Sequence, residues 1–258
     1  MKKICFAITV LLTALLLAVQ PIAAAPQGIS WYCTRQKAHR QAIAAPELRF
    51  VEELDGYYID HTHGDGEAEK VVYLTFDMGY ENENVTKILN TLRAESVTAA
   101  FFVLKHPVEQ NAALLQRMVA EGHLICNHTA THKDLSSAAP ETIKAELEGL
   151  EKVCAKAEIP LARYFRPPEG RFSREMLERV RALGYKTVFW SFAYADWDNR
   201  QQPSPTTAMR CIMDNLHNGA VILLHPTSAT NAEILPLVIK EIRAQGYRFG
   251  TLDELCAV

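Results

Sequence analysis

The 258-residue chain has no surplus of positive charge: 27 Lys and Arg against 30 Asp and Glu leave a net charge of −3. That excludes the basic footprint expected of a nucleic acid binder. It has no CxxC pair among its six cysteines, which excludes a cysteine-rich zinc site. Cys5 lies in the leader considered next. The other five, Cys33, Cys126, Cys154, Cys211 and Cys256, are odd in number and cannot all pair within one chain. They read as small buried apolar side chains with at most one incidental disulfide. There is no internal repeat and no low-complexity tract, which excludes a repeat array. An apolar share of 48% and a charged share of 22% are those of an ordinary globular domain.

The first residues are a targeting pattern. Lys2 and Lys3 are followed by an almost unbroken apolar run from Ile4 to Val19, then Ala23, Ala24 and Ala25. This is the layout of a secretory signal peptide over residues 1–25, and it predicts a secreted or cell-envelope protein. The run is shorter than the ~20 residues of a spanning helix. An uncleaved anchor is the alternative, because Pro26 would follow the scissile bond.

Residues 26–69 show weak periodicity and read as an N-terminal extension packing on the main domain, residues 70–258. From Val71 onward, short apolar runs alternate with helical patterns. Strands are expected at 71–76, 99–103, 124–127, 164–166, 187–190, 220–224 and 248–252. Amphipathic helices are expected over 85–95, 141–157 and 233–245. Gly184 and Gly246 stand where a helix would stop before the next strand. Seven strands alternating with helices predict an α/β fold with a parallel sheet, and the length suits a closed barrel. In a barrel, chemistry sits on loops at the C-terminal strand ends.

Polar residues do cluster there. Asp77 ends the first strand; Asn127, His128 and Thr129 follow the third, with His132 four residues after His128. Arg166, Pro167 and Pro168 follow the fourth, Asp196 and Trp197 the fifth, and His225 the sixth. Two imidazoles at that spacing can offer neutral nitrogens to a divalent metal. A nearby carboxylate can take a proton from water, and a further His can protonate a leaving group. Each piece alone has a plain structural explanation: a loop cap, a rigid turn, a hydrogen-bonded core His. Five such accidents at one sheet end are improbable, and together they point to metal-assisted hydrolysis of an acyl bond.

The ordered set Thr75-Phe76-Asp77-x-Gly79, His128-Thr129-x-x-His132, Arg166-Pro167-Pro168-x-Gly170, Asp196-Trp197 and Leu223-Leu224-His225 resembles the polysaccharide deacetylases with a NodB-type domain. The resemblance spans about Val71 to Leu255. Asp77 to Asn82, Trp190 to Trp197, Asn231-Ala232-Glu233 and Leu54 to Tyr58 are similar to the narrower group of delta-lactam-biosynthetic de-N-acetylases, which act on muramic acid in spore cortex peptidoglycan. The resemblance implies a distorted (β/α)7 barrel. It implies Asp77 as general base, His128 and His132 as metal ligands, and His225 as general acid. Arg166 would pair with Asp77, and Asp196 would tune His225. The metal it implies is divalent, zinc before others, and the partner is a peptidoglycan glycan strand. Nothing in the sequence sets the oligomeric state.

Two positions depart from the wider family. Met78 stands where a second Asp is usually the third metal ligand, and Ala193 where another Asp is common. The delta-lactam group tends to lack both acids. The departure at Met78 implies either two His ligands plus water or only weak metal binding. His61 and His63 offer a replacement ligand, though an exposed loop is the plainer reading for them.

For the sugar, Tyr80, Trp190, Tyr194 and Trp197 are candidate stacking faces, with Pro167, Pro168 and Leu223 beside them. The lactyl carboxylate of muramic acid calls for a cation; Arg171 is the candidate, with Arg174 and Lys133 behind it. Two other readings stand beside a muramic acid deacetylase: a deacetylase of N-acetylglucosamine in peptidoglycan or chitin-like oligomers, or an esterase on acetylated xylan; and a carbohydrate-binding pseudoenzyme with a decayed metal site.

Overall fold

The computed structural model describes residues 28–257; the expected signal peptide, residues 1–25, lies outside them. The main sheet has eight strands: β1 Gly56–Tyr57, β2 Lys70–Met78, β3 Ala100–Val103, β4 Leu124–Asn127, β5 Leu161–Phe165, β6 Lys186–Val188, β7 Ala220–Leu224 and β8 Tyr247–Gly250. The order is β7-β2-β3-β4-β5-β6-β1, every pairing parallel, with β8 added to the lower half of β2. The sheet curls, and isolated bridges from Phe192 to Ile222 and from Ile59 to Ala220 join its two edges.

All seven strands expected from the sequence are present. The eighth, β1, comes from the segment expected to lie outside the barrel; two residues carry no periodicity, and its pairing with Thr187 and Val188 makes it a strand. The last expected strand ends early, because Thr251 caps a short helix, Leu252–Leu255. Helices Glu83–Ala94, Pro140–Lys156 and Ala229–Ala244 cover the expected segments.

Alternation along β2 sorts its apolar side chains between two of the three core clusters. Val72, Leu74, Phe76 and Met78 pack with helix residues such as Ile88, Leu89, Ile234 and Val238. Val71 and Tyr73 pack inside the barrel with Phe102, Cys126, Val188 and Leu252. Burying each such aliphatic or aromatic side chain contributes about 1.5–3 kcal/mol. Asp77 has the parity of Val71 and Tyr73, so the strand presents it at the barrel mouth. The five cysteines of the described residues are all unpaired.

Candidate active site

Asp77, His128, Arg166 and His225 stand at or just past the C-terminal ends of β2, β4, β5 and β7. Parallel pairing in register brings those ends together. Arg166 is wholly buried; its Nη1 donates to Asp77 Oδ1 at 2.8 Å, while Nε and Nη2 donate to the carbonyls of Val188 and Phe189 at 2.9 and 3.1 Å. The guanidinium also lies 4.1 Å from the Phe102 ring centroid. Burial pushes the Asp77 carboxyl up, but the charge of Arg166, helped by that of His225 and by the Arg166 hydrogen bond, outweighs it and holds the carboxyl below the usual range.

His128 Nδ1 faces the carbonyl of Arg166 at 2.8 Å. A carbonyl only accepts, so Nδ1 carries the proton and the neutral ring presents a bare Nε2. Burial pushes this imidazole down to about 4, and it stays neutral at ordinary pH. Nε2 is 3.7 Å from Asp77 Oδ2. The ring of His132 stands edge-on, 5.1 Å away. A sharp turn brings it there: Thr129 and His132 both have left-handed φ, 75° and 61°. Asn127 Oδ1 accepts from Thr129 N–H at 2.8 Å, and Thr129 Oγ1 accepts from His132 N–H at 2.9 Å.

Across the mouth, His225 Nδ1–H donates to Asp196 Oδ1 at 2.8 Å, and its backbone N–H donates to Oδ2 at 2.7 Å. Burial lowers the imidazole pKa, but the hydrogen bond and charge of Asp196, with the charge of Asp77, overcome this and raise it. Ser228 caps the helix Ala229–Ala244, whose first turn delivers Asn231; its Nδ2 donates to Asp196 Oδ2 at 2.6 Å.

These groups open on a cleft of about 670 Å³, lined by Asp77, His128, His132 and His225 among others. Trp190, Tyr194 and Leu223 line it too, and Tyr80 and Trp197 stand at its exposed side. The volume suits a ligand of one or two sugar rings.

The chain belongs to the polysaccharide deacetylase family. Residues 64–188 match that family. The chain is 37% identical over 243 residues to the Bacillus subtilis peptidoglycan-N-acetylmuramic acid deacetylase PdaA, covering 92% of this chain and 89% of the relative. It is 32% identical over 197 residues to a Bacillus cereus peptidoglycan-N-acetylglucosamine deacetylase, covering 72% and 88%. The structure of B. subtilis PdaA, described as a family 4 carbohydrate esterase, superposes with a TM-score of 0.83 over 89% of this chain and 97% of that one. The curled barrel expected from the sequence is the fold of these deacetylases.

Several expectations for single residues need correction. Arg171 does not line the cleft: its Nε donates to Asp134 Oδ2 at 2.6 Å. Arg174 stacks on Phe50 instead of approaching the cleft. Pro167 and Pro168 are buried under the loop and are not lining residues. His61 and His63 lie at the opposite end of the barrel, paired with Glu52 and Asp60 beside Gly219, and supply no ligand to the cleft. Met78 is fully buried in the core against the helices. Among the described residues, no group of three or more His, Cys, Asp or Glu side chains is arranged to hold a metal ion.

Sequence reasoning did not assign Asn231, although its place shortly after His225 was a signal. It also gave no role to Glu169, which lines the cleft from a left-handed turn, φ 56°. Gly170 follows with φ 64°, and a Cβ there would fall 2.7 Å from the Trp190 ring, so only glycine fits.

Proposed function

We propose that this polysaccharide deacetylase hydrolyses the N-acetyl group of N-acetylmuramic acid in peptidoglycan. The observation that carries the reading is the opposition of two pairs across one cleft: a carboxylate bonded to Arg166, and an imidazole bonded to Asp196. The similarity to PdaA over nearly the whole chain supports the choice of sugar.

In this proposal Asp77 uses Oδ2, the oxygen not engaged by Arg166, to take a proton from water as that water adds to the acetamide carbonyl. His225 donates the proton on Nε2 to the departing nitrogen, so the products are acetate and the free amine. Depressed and raised pKa values put base and acid in their working protonation states together. The donor chemistry of His128 and His132, two imidazoles of which His128 is neutral with its Nδ1 fixed by a carbonyl, fits a divalent cation, and zinc is the ion we propose. When bound, such an ion polarises the carbonyl and acidifies water. With Met78 in the core, His128 and His132 are the two side chains that would hold it. Tyr80, Trp190, Leu223 and Trp197 form the sugar-facing walls.

From the leader pattern and the family resemblance we take the setting: an exported enzyme, its extension 26–69 acting with the domain 70–258, at a step towards the muramic delta-lactam of spore cortex.

One observation favours a second reading. Among the described residues, those lining the cleft include no Lys or Arg to meet a lactyl carboxylate, which suits N-acetylglucosamine. The deciding experiment is mass spectrometry of acetyl loss from peptidoglycan stripped of its stem peptides, beside glucosamine oligomers, with added zinc. Loss at muramic residues is the expected result; loss from glucosamine alone overturns the choice of sugar.

A further inference from the structure

The segment from Ile29 to Arg35 fastens two walls of the cleft at once. On one side, Ile29–Ser30 pairs antiparallel with Arg171–Phe172, and Trp31 N–H donates to the carbonyl of Gly170 at 2.8 Å, directly after Glu169. On the other, Trp31 Nε1–H donates to the carbonyl of Trp190 at 2.8 Å, and Cys33 Sγ lies 3.4 Å from the carbonyl of Ser191. Arg35 donates to the carbonyl of Ala193, with its guanidinium 5.0 Å from the Phe192 ring centroid. Glu169, Trp190 and Ala193 all line the cleft.

Neither wall belongs to a strand of the main sheet. Glu169 is a non-glycine residue with left-handed φ, a conformation that costs free energy unless the surroundings fix it. Trp190 to Ala193 lies past the end of β6 and is joined to β7 through the bridge at Phe192, the backbone bonds around it and Ser191 Oγ. The segment supplies bonds to both from outside residues 64–188, the part matching the family.

We propose that Trp31 and Arg35 are positioning residues: the segment is a brace that sets the spacing between the Glu169 turn and the Trp190–Ala193 wall, and so governs how well the glycan is seated. The proposal rests on this cleft being the catalytic one and not on which amino sugar it takes. A purely structural segment would affect stability alone. Arg35 is exposed, so removing it leaves the core intact.

The test uses the full chain with Arg35→Ala, and with Trp31→Phe, which keeps an aromatic ring against Phe189 but loses the Nε1–H donor. Kinetics are read on peptidoglycan and on glucosamine oligomers, and amide hydrogen exchange over residues 169–171 and 190–195. Expected are a KM raised roughly three- to tenfold with kcat within about twofold, as for lost ground-state seating, and faster exchange in both stretches. Wild-type exchange in both folded variants overturns the proposal, whatever the activity. Faster exchange with wild-type KM on both substrates overturns it as well. Because exchange is read without substrate, a parent inactive on both glycans still decides the brace while sinking the functional reading separately.

Discussion

Asp196 grips His225 with both carboxylate oxygens, one on the ring Nδ1–H at 2.8 Å and one on the backbone N–H at 2.7 Å. The ring is thereby fixed in position and tautomer, and it holds its proton above the ordinary histidine range. In the proposed reaction the rate falls as pH rises through the raised pKa, because the acid is then spent. Asp196→Asn keeps the size but loses the charge. We expect kcat to drop by about 10²–10⁴, and the falling limb of the pH–rate profile to move to lower pH. An unmoved limb would show that the limb belongs to another group.

The Asp77–Arg166 pair carries a stability prediction. Arg166 has no exposed surface, and among the described residues its only charged partner is Asp77. Asp77→Asn strands a buried cation, so the cost should be about 3–5 kcal/mol in urea denaturation, together with loss of turnover. The double change Asp77→Asn, Arg166→Met should cost clearly less than the sum of its parts. Simple additivity would show the two residues to be uncoupled.

Met78 answers whether an acid can be restored beside Asp77. Its side chain sits in the core against the helices. Met78→Asp should therefore destabilise the metal-free protein by roughly 3 kcal/mol or more, the cost of an unpaired buried charge. Zinc titrated calorimetrically should bind no tighter than to the parent. Tighter binding at unchanged stability would place position 78 in the donor set after all.

His123 should govern part of the acid sensitivity of the fold. It is buried, its Nδ1 accepts from Ala99 N–H at 3.2 Å, and burial pushes its pKa down to about 4. The unfolded chain binds a proton near pH 6.5, the folded chain only near 4. The stability present above 6.5 is thus lost progressively as pH falls through that window. In His123→Gln the slope of unfolding free energy against pH between 6.5 and 4 should be shallower. An unchanged slope would assign the acid sensitivity elsewhere.

The strands that carry the site were legible because their apolar runs are bounded by helix-ending glycines and by the polar residues they deliver. Asp77, His128, Arg166 and His225 follow from strand ends alone, since parallel register gathers those ends. What stayed hidden is what arises only on packing. Gly56–Tyr57 is a strand solely through its partners. Arg171 looked like a substrate cation because local sequence does not reveal Asp134 as its partner. Met78 looked like a missing ligand because a motif gives the order of residues and not the face they occupy. The bracing role of Trp31 and Arg35 spans more than 150 residues of chain, beyond any local pattern.

The unpaired cysteines bear on when oxidation can harm this chain. Burial pushes the thiols of Cys33, Cys154 and Cys256 up to about 11, 12 and 12, and raises Cys126 well above its ordinary value. Thiolate, the reactive form, is then scarce in these four at neutral pH. The finished fold shelters these sulfurs even in an oxidising medium, while the unfolded chain exposes its thiols at their ordinary reactivity. The hazard is a race during folding: mispairing must win before the barrel closes over them, and afterwards it has lost.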